Sequence, residues 1–253
     1  MIINDNSSDI IGSLNYHHEF YSSYLKNERD ILVWLPPSYQ SGSKRYPVIY
    51  MHDGQNLFDP RTSYSGITWN VDKIISKLIF EKKIEEVIVV GINNSKDRIE
   101  EYNLYSSKGL YYSSFLINEL KRFIDENYRT KTDPANTCTI GSSMGGLFSF
   151  QLIMNFPKIF GKAGCLSNSF WINRKRVFLE PENKNLDDLK IYLDCGKGEK
   201  ELIFDNMKMA LILKNKDMQC GKNLLYHFEK DAHHSESYWA RRLHIPLTFL
   251  FGK

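Results

Sequence analysis

A six-residue apolar run, VIVVGI at residues 87–92, constrains the fold of this chain more than any other feature. β-Branched residues dominate the run, and it is short, so it favours a strand over a helix. A strand with one face in solvent would alternate apolar and polar residues, and this run does not alternate. Continuous apolar strands are typical of parallel sheets that are covered by helices on both faces. The run therefore predicts an α/β fold.

Strand and helix patterns alternate along most of the chain. The predicted strands cover residues 30–35, 48–51, 87–92, 137–140, 163–166, 191–193 and 224–226. The predicted helices cover residues 69–80, 114–128, 144–155, 201–215 and 234–243. This order is typical of βαβ units, so we expect a mostly parallel central sheet with helices on both faces and no large separate lid domain.

Two stretches lack either pattern, residues 58–68 and 93–111, and are predicted to be irregular. Loops beyond the carboxyl ends of parallel strands carry the site in α/β sheets. We therefore expect these two stretches to form walls of a substrate pocket.

Length and composition limit the classes of protein that the chain can be. Its 253 residues are 42% hydrophobic and carry a net charge of +3, without basic runs, which argues against a nucleic-acid partner. The start of the chain lacks a secretory signal pattern, and no stretch of about 18 apolar residues predicts a membrane span. We expect one domain over residues 1–253, a cytoplasmic location and no membrane partner. The four cysteines are not spaced as a metal or redox pair.

The motif that points to chemistry is G-x-S-x-G, formed by Gly141-Ser142-Ser143-Met144-Gly145. The motif is short and occurs by chance, but here a predicted strand precedes it and a predicted helix follows it. That setting is typical of a nucleophile elbow, a tight turn that needs small residues two positions before and after the serine. The sequence therefore predicts Ser143 as a nucleophile.

A serine hydroxyl needs a base that accepts its proton. In α/β folds with a nucleophile elbow, the acid and then the histidine follow the serine in the chain. His227 lies inside a predicted strand and His244 precedes an apolar helix, so both are interpreted as structural. His233 and His234 lie in a polar turn after a strand, where a catalytic histidine belongs. The residues alone leave these two open.

The acid is expected in the loop after the strand at residues 191–193. Asp194 is interpreted as part of that strand, whereas Glu199 and Glu201 lie beyond two glycines, where a side chain can turn towards a histidine. The acid would orient the imidazole and stabilise the imidazolium.

Two backbone N–H groups are predicted to bind an oxyanion. The N–H of Met144 lies at the start of the helix behind the serine. The N–H of Gln55 belongs to the loop at residues 52–56, where Gly54 permits a sharp turn.

With these residues in view, the chain resembles the esterase branch of the α/β-hydrolases. That branch includes esterase D, enterochelin esterases, feruloyl and acetylxylan esterases, and the mycolyltransferases. The resemblance extends from about residue 30 to residue 251. It is carried by YMHDGQNLF at residues 50–58, WNVD at 69–72, Arg98 with Glu101-Tyr102, YRT at 128–130, GSSMGGL at 141–147, and HSE at 234–236 with Trp239.

The resemblance implies which residues act. His234 matches the histidine of the family, and Gly196-Lys197-Gly198-Glu199 resembles its acid turn, which favours Glu199. Glu201 stays an alternative, as does a site without an acid, because some family members work with a serine and a histidine alone.

The expected function is that of a serine carboxylic ester hydrolase that acts through an acyl-enzyme on a small or medium ester, without a metal or cofactor. Asn56, Tyr102 and Trp171 are predicted to bind substrate, and the sequence leaves the oligomeric state open. Further aromatic residues that could line the pocket are Tyr105, Tyr111, Tyr112 and Phe170. The alternatives are an acyltransferase with the same residues and a non-catalytic binding protein.

Overall fold

A single sheet organises the part of the chain that the computed structural model describes, residues 2–4 and 10–253. The rest of the predicted domain, residues 1 and 5–9, lies outside the described residues. Within the described ranges the sheet has nine strands in the order β1-β2-β3-β5-β4-β6-β7-β8-β9. The strands are β1 (Ile2–Asn4), β2 (Ser13–Ser22), β3 (Asn27–Leu35), β4 (Val48–His52), β5 (Ile88–Ile92), β6 (Thr137–Ser142), β7 (Lys162–Leu166), β8 (Lys190–Gly196) and β9 (Leu224–Glu229).

Strand direction divides the sheet into two parts. β1, β2, β3 and β5 pair antiparallel in that order, whereas all pairs from β5 through β4 to β9 are parallel. The prediction of a mostly parallel α/β sheet is confirmed. Because parallel strands end at one edge, the loops after β4, β6, β7, β8 and β9 meet there.

Helices cover both faces of the sheet. They are α1 (Val71–Phe80), α2 (Arg98–Glu101), α3 (Ser107–Ser114), α4 (Lys121–Asn127), α5 (Met144–Asn155), α6 (Arg174–Val177), α7 (Lys200–Asn215), α8 (Glu236–Arg242) and α9 (His244–Phe251). A π-helical stretch, Phe115–Leu120, joins α3 to α4.

The two faces of β4 explain why its apolar run is continuous. Val48 and Tyr50 pack into a core with α5 and α7, whereas Ile49 and Met51 pack into a second core with α1, α8 and α9. Each face of the strand is therefore buried, as the unbroken pattern predicts.

Two regions differ from the prediction. The chain at Ser13–Ser22 forms a long strand that the sequence did not indicate, because its polar and apolar residues do not alternate and the polar residues His17 and Ser22 are buried. The stretch at residues 93–111, predicted to be irregular, contains α2 and the first five residues of α3, and these helices are too short for a clear apolar period. In the described part of the chain, no helix combines the length and the apolar character that crossing a membrane requires.

Candidate active site

Ser143 occupies the sharp turn between β6 and α5. Its backbone has φ 56° and ψ −118°, a conformation that residues with a side chain rarely adopt. A Cβ at Gly141 would lie 2.5 Å from the carbonyl carbon of Gly145, so only glycine fits beneath the turn. The turn is tied to β7, because the Ser143 N–H donates to the carbonyl oxygen of Leu166 at 2.9 Å. The strand–turn–helix geometry lifts the Ser143 hydroxyl above the edge of the sheet.

A chain of hydrogen bonds connects three predicted residues. The Ser143 Oγ lies 2.9 Å from Nε2 of His234, and Nδ1 of His234 lies 2.8 Å from Oε1 of Glu199. The Glu199 side chain is 1% exposed and the His234 side chain 41%. The structure thus brings together residues that lie far apart in the sequence.

Close packing between two loops selects His234 over His233. A Cβ at Gly198 would lie 2.2 Å from Nδ1 of His233, so the backbone of the acid loop presses against that imidazole. His233 also packs on the ring of Tyr238, and the imidazole that bonds Ser143 Oγ is that of His234. His234 is therefore the one directed to Ser143.

Glu199, rather than Glu201, reaches the histidine. Burial by itself raises the pKa of Glu199, but the hydrogen bonds from His234 and the Gly196 N–H, with the charge of Arg242 nearby, bring that pKa below its ordinary value. Glu201 is exposed on the first turn of α7 and has no contact with His234 among the contacts of the described residues. The carboxylate beside the imidazole is therefore ionised at neutral pH.

A buried ion pair lies beneath this chain. Arg242 donates from Nε and Nη2 to Asp194 at 2.8 and 3.0 Å, and both side chains are at most 1% exposed. Arg242 also donates to Ser167 Oγ at 2.6 Å, which accepts from Trp239 Nε1 at 2.9 Å. The ring of Trp239 contacts the edge of His234, with centroids 4.9 Å apart. Packing on this network fixes the imidazole from below.

The predicted oxyanion donors belong to two different loops. Gln55 lies in a short 3₁₀ turn, Gly54–Asn56, that follows β4, and Met144 begins α5. Neither N–H donates to an acceptor among the described residues. The first N–H groups of a helix have no partner within it, so both are available to an oxygen at Ser143.

A second carboxylate, Asp53, anchors the loop that carries Gln55. Arg98 donates from Nε and Nη2 to the two oxygens of Asp53, each at 2.7 Å, and Asn94 Nδ2 donates at 2.6 Å. Burial by itself raises the pKa of Asp53, but the guanidinium and the amide lower it below the ordinary aspartate value. The Asn94 N–H also donates to the side-chain oxygen of Gln55 at 3.2 Å, so one cluster fixes the whole turn.

Tyr102 corrects a prediction. It is fully buried, and its hydroxyl accepts a hydrogen bond from the Asp53 N–H at 3.1 Å, beneath the site and away from solvent. A side chain without an accessible surface cannot contact substrate, so Tyr102 supports the Asp53 turn instead. Tyr112 and Phe170 are likewise fully buried, which excludes them from the pocket surface.

Two clefts open on either side of Ser143 and share His234. The first, with a volume of about 440 Å³, is lined by residues that include Gln55, Asn56, Asn94 and Arg98. The second, of about 460 Å³, is lined, besides Ser143 and His234, by Ser169, Trp171, Gly198, Glu199, Lys200, Glu201 and Leu202. Asn56 thus lines the first cleft and Trp171 the second.

The sequence did not identify several residues of the site. Ser169 lies 3.2 Å from Ser143 Oγ, and Asp53, Ser167 and Arg242 hold its loops. Asp53, Arg98 and Trp239 had a signal, because each lies in a segment that carries the resemblance. Among the described residues, no group of three or more histidine, cysteine, aspartate or glutamate side chains is arranged to hold a metal ion.

The fold places this chain among the α/β-hydrolases. A family model described as "Putative esterase" matches residues 22–249, which is most of the chain. The chain therefore belongs to that family and is a carboxylic ester hydrolase.

Individual comparisons give one relative along most of the chain and two solved structures of similar fold. The chain is 24% identical over 252 residues to the uncharacterized protein YbbA of Bacillus subtilis (strain 168), covering 92% of this chain and 96% of the relative. Its fold is similar to that of a ferulic acid esterase, with a TM-score of 0.76, 19% identity and coverage of 94% and 97% of the two chains. It is also similar to the enterobactin esterase FES from Shigella flexneri, with a TM-score of 0.76 and 16% identity, covering 98% of this chain and 62% of that one.

Proposed function

We propose that this protein hydrolyses esters through a covalent acyl-enzyme on Ser143, with His234 as the general base and acid and Glu199 as the third member of a catalytic triad. The observation that carries the proposal is the unbroken hydrogen-bond chain from Glu199 through His234 to Ser143, at 2.8 and 2.9 Å. These distances are within the range expected of a nucleophile and its base.

In the first half of the reaction, Ser143 Oγ attacks the ester carbonyl while its proton moves to Nε2 of His234. The Glu199 carboxylate keeps Nδ1 protonated and stabilises the imidazolium that forms. The carbonyl oxygen becomes an oxyanion that accepts hydrogen bonds from the N–H groups of Met144 and Gln55. Loss of one such donor lowers the rate by about 10²–10³-fold in a serine hydrolase.

The second half of the reaction repeats these steps with water. The first half ends when His234 gives its proton to the leaving alcohol and the alcohol departs, so that a water molecule can take its place. His234 then accepts a proton from that water as its oxygen attacks the acyl carbon. The bond between that carbon and Ser143 Oγ breaks, His234 returns the proton to Oγ, and the acid is released. Neither half requires a metal or an organic cofactor.

The two clefts support a small or medium ester as substrate. One cleft offers amide and guanidinium groups, and the other offers the exposed ring of Trp171 beside Leu202. Because Lys200 and Glu201 also line the second cleft, both clefts combine polar and apolar groups. An ester with a flat apolar part over Trp171 and polar groups beside it fits them. Because the similar folds include a ferulic acid esterase, esters of ferulic acid are the first natural class to test.

The test is hydrolysis of p-nitrophenyl acetate, butyrate and longer esters, together with methyl ferulate, by wild type, Ser143→Ala and His234→Ala. We expect both variants to lose activity by about 10³-fold or more, and a fluorophosphonate probe to label wild type but not Ser143→Ala. His233→Ala is the matched control, because the neighbouring imidazole packs on Tyr238 and the bond to Ser143 comes from His234.

Two outcomes would reject the proposal. Retention of activity by Ser143→Ala would assign the nucleophile elsewhere. Inertness of wild type towards every ester, together with no labelling by the probe, would favour a non-catalytic binding protein.

A further inference from the structure

A second serine, Ser169, contacts the reacting atom of the site. Its Oγ lies 3.2 Å from Oγ of Ser143, and its N–H donates to the carbonyl oxygen of Ser143 at 3.2 Å. Ser169 is 3% exposed and lines the cleft that contains Trp171. Within the described residues, Ser143 is the only hydrogen-bond partner of its hydroxyl.

The turn that carries Ser169 is fixed by a pair of buried amides. Asn168 Nδ2 donates to Oδ1 of Asn206 on α7 at 2.9 Å, and Asn206 Nδ2 donates back to the carbonyl oxygen of Asn168 at 3.1 Å. Both asparagines are fully buried. The neighbouring Ser167 is held at its N–H by Asp194 at 2.9 Å. The position of the Ser169 hydroxyl is therefore set by the fold rather than by a flexible loop.

The order of protons along the chain decides which serine donates. Glu199 is ionised and can only accept, so His234 must carry its proton on Nδ1. Nε2 of His234 then has a free lone pair, and the Ser143 hydroxyl donates to it. The single hydroxyl proton of Ser143 already forms the hydrogen bond to His234. In the contact between the two serines, the Ser169 hydroxyl must therefore donate to Ser143 Oγ.

We propose that Ser169 is a further catalytic residue, whose hydroxyl donates a hydrogen bond to Ser143 Oγ when that oxygen attacks and when it departs. The inference rests on the proposed function of Ser143 as the nucleophile. It assigns a direct role to a residue outside the triad and the oxyanion donors.

The hydrogen bond from Ser169 to Ser143 Oγ acts at two steps of the reaction. During attack, the Ser143 O–H bond breaks, the proton moves to His234 and the O–C bond forms, while Ser169 keeps its own proton. During release of the acid, the O–C bond breaks and Ser143 Oγ regains a proton from His234. Charge on Oγ is greatest in the two transition states, and hydrogen bonds to charged acceptors are stronger than those to neutral ones. The acyl-enzyme ester oxygen accepts more weakly, so the bond favours the transition states over the intermediate.

The experiment compares wild type with Ser169→Ala, Ser169→Thr and the control Ser149→Ala. Ser149 is a buried serine of α5 that bonds Thr139 at 3.1 Å and does not touch Ser143. The readouts are the first-order rate of Ser143 phosphonylation by a fluorophosphonate, and the burst and steady-state rates with p-nitrophenyl butyrate.

We expect Ser169→Ala to slow phosphonylation, acylation and deacylation by about tenfold each, because a donor to a charging oxygen is lost. Ser169→Thr keeps the hydroxyl and should stay within about threefold of wild type, and Ser149→Ala within about twofold. The loss should appear in the first-order steps and not in the concentration of ester or probe at half saturation.

Wild-type rates in Ser169→Ala would overturn the inference, and so would an equal loss in Ser169→Thr, which would indicate packing rather than donation. Ser143→Ala, run beside these variants, separates this failure from failure of the proposed function. If Ser143→Ala is inactive and Ser169→Ala is not impaired, only the role of Ser169 is wrong.

Discussion

Two buried carboxylates flank Ser143, and they differ in the group that each one contacts. Glu199 follows β8 and contacts an imidazole whose charge is expected to change during the reaction. Asp53 follows β4 and contacts the guanidinium of Arg98, whose charge does not change. In each case burial raises the carboxyl pKa, and the partners lower it below its ordinary value.

This difference predicts that Glu199 acts during the reaction, whereas Asp53 maintains the structure of its loop. A carboxylate beside a neutral imidazole has its largest electrostatic effect when the imidazole becomes protonated, so Glu199 should act on the transition state. A carboxylate already paired with a permanent cation should act on the backbone that it anchors, which here carries the Gln55 N–H. The contrast predicts that loss of Glu199 affects rate, and that loss of the Asp53 partner affects stability first.

The largest expected effect is on the Glu199 side. Glu199→Gln keeps the shape of the side chain but loses its charge, and it can favour the wrong tautomer of His234. We expect kcat to fall by about 10³–10⁴-fold with little change in the free energy of unfolding. Glu201→Gln is the matched control and should behave as wild type in the same steady-state assay. Comparable losses in both variants would contradict the assignment of the acid.

The next effect is on the Asp53 side. Arg98→Met leaves the Asp53 carboxylate buried without its cation, so we expect the free energy of unfolding, measured by urea titration, to fall by about 3 kcal/mol. The residual folded protein should also lose kcat, because the Gln55 turn is no longer anchored. Adding Asp53→Asn should restore part of the stability, since the unpaired charge is then absent. The exposed Arg122–Glu126 pair provides the control, and Arg122→Met should be nearly neutral. A destabilisation that Asp53→Asn does not relieve would argue against the pair as its cause.

The smallest effect is the response of the Asp53 pair to acid. Because the folded pKa of Asp53 is below its ordinary value, the contribution of the pair is fully present above that ordinary value and is lost as the pH falls through the folded pKa. The stability difference between wild type and Asp53→Asn should therefore be constant from pH 8 to about pH 5 and should shrink below about pH 4. Urea unfolding of both proteins across this range measures it. A difference that already shrinks between pH 7 and pH 6 would contradict a lowered pKa.

The sequence predicted the parallel part of the sheet and, in the antiparallel part, β3, but it missed β1 and β2. The run at β5 is apolar on both faces, and that pattern has one simple structural solution. The strand at Ser13–Ser22 mixes polar and aromatic residues, and it joins the sheet by pairing with β3. No local sequence pattern reveals that pairing. Long-range pairing, rather than local propensity, decides such a strand.

In the active site, too, local features were predicted from the sequence and long-range contacts were not. The turn at Ser143 is a local feature and was predicted from five consecutive residues. The choices between His233 and His234, and between Glu199 and Glu201, depend on side-chain direction, which the residues alone did not determine. Ser169 and the partnership of Asp53 with Arg98 connect separate strand ends, so they become visible only when the sheet brings those ends together.

The backbone at Ser143 has a consequence for how this protein can change over evolutionary time. Its φ of 56° suits glycine and strains any residue with a side chain. Drift under selection for a durable fold alone would tend to replace Ser143 with glycine, since that change relieves strain and leaves the core untouched. A serine at this position is therefore evidence of selection for what its hydroxyl does, and a descendant released from that selection should lose this hydroxyl before it loses the sheet beneath it.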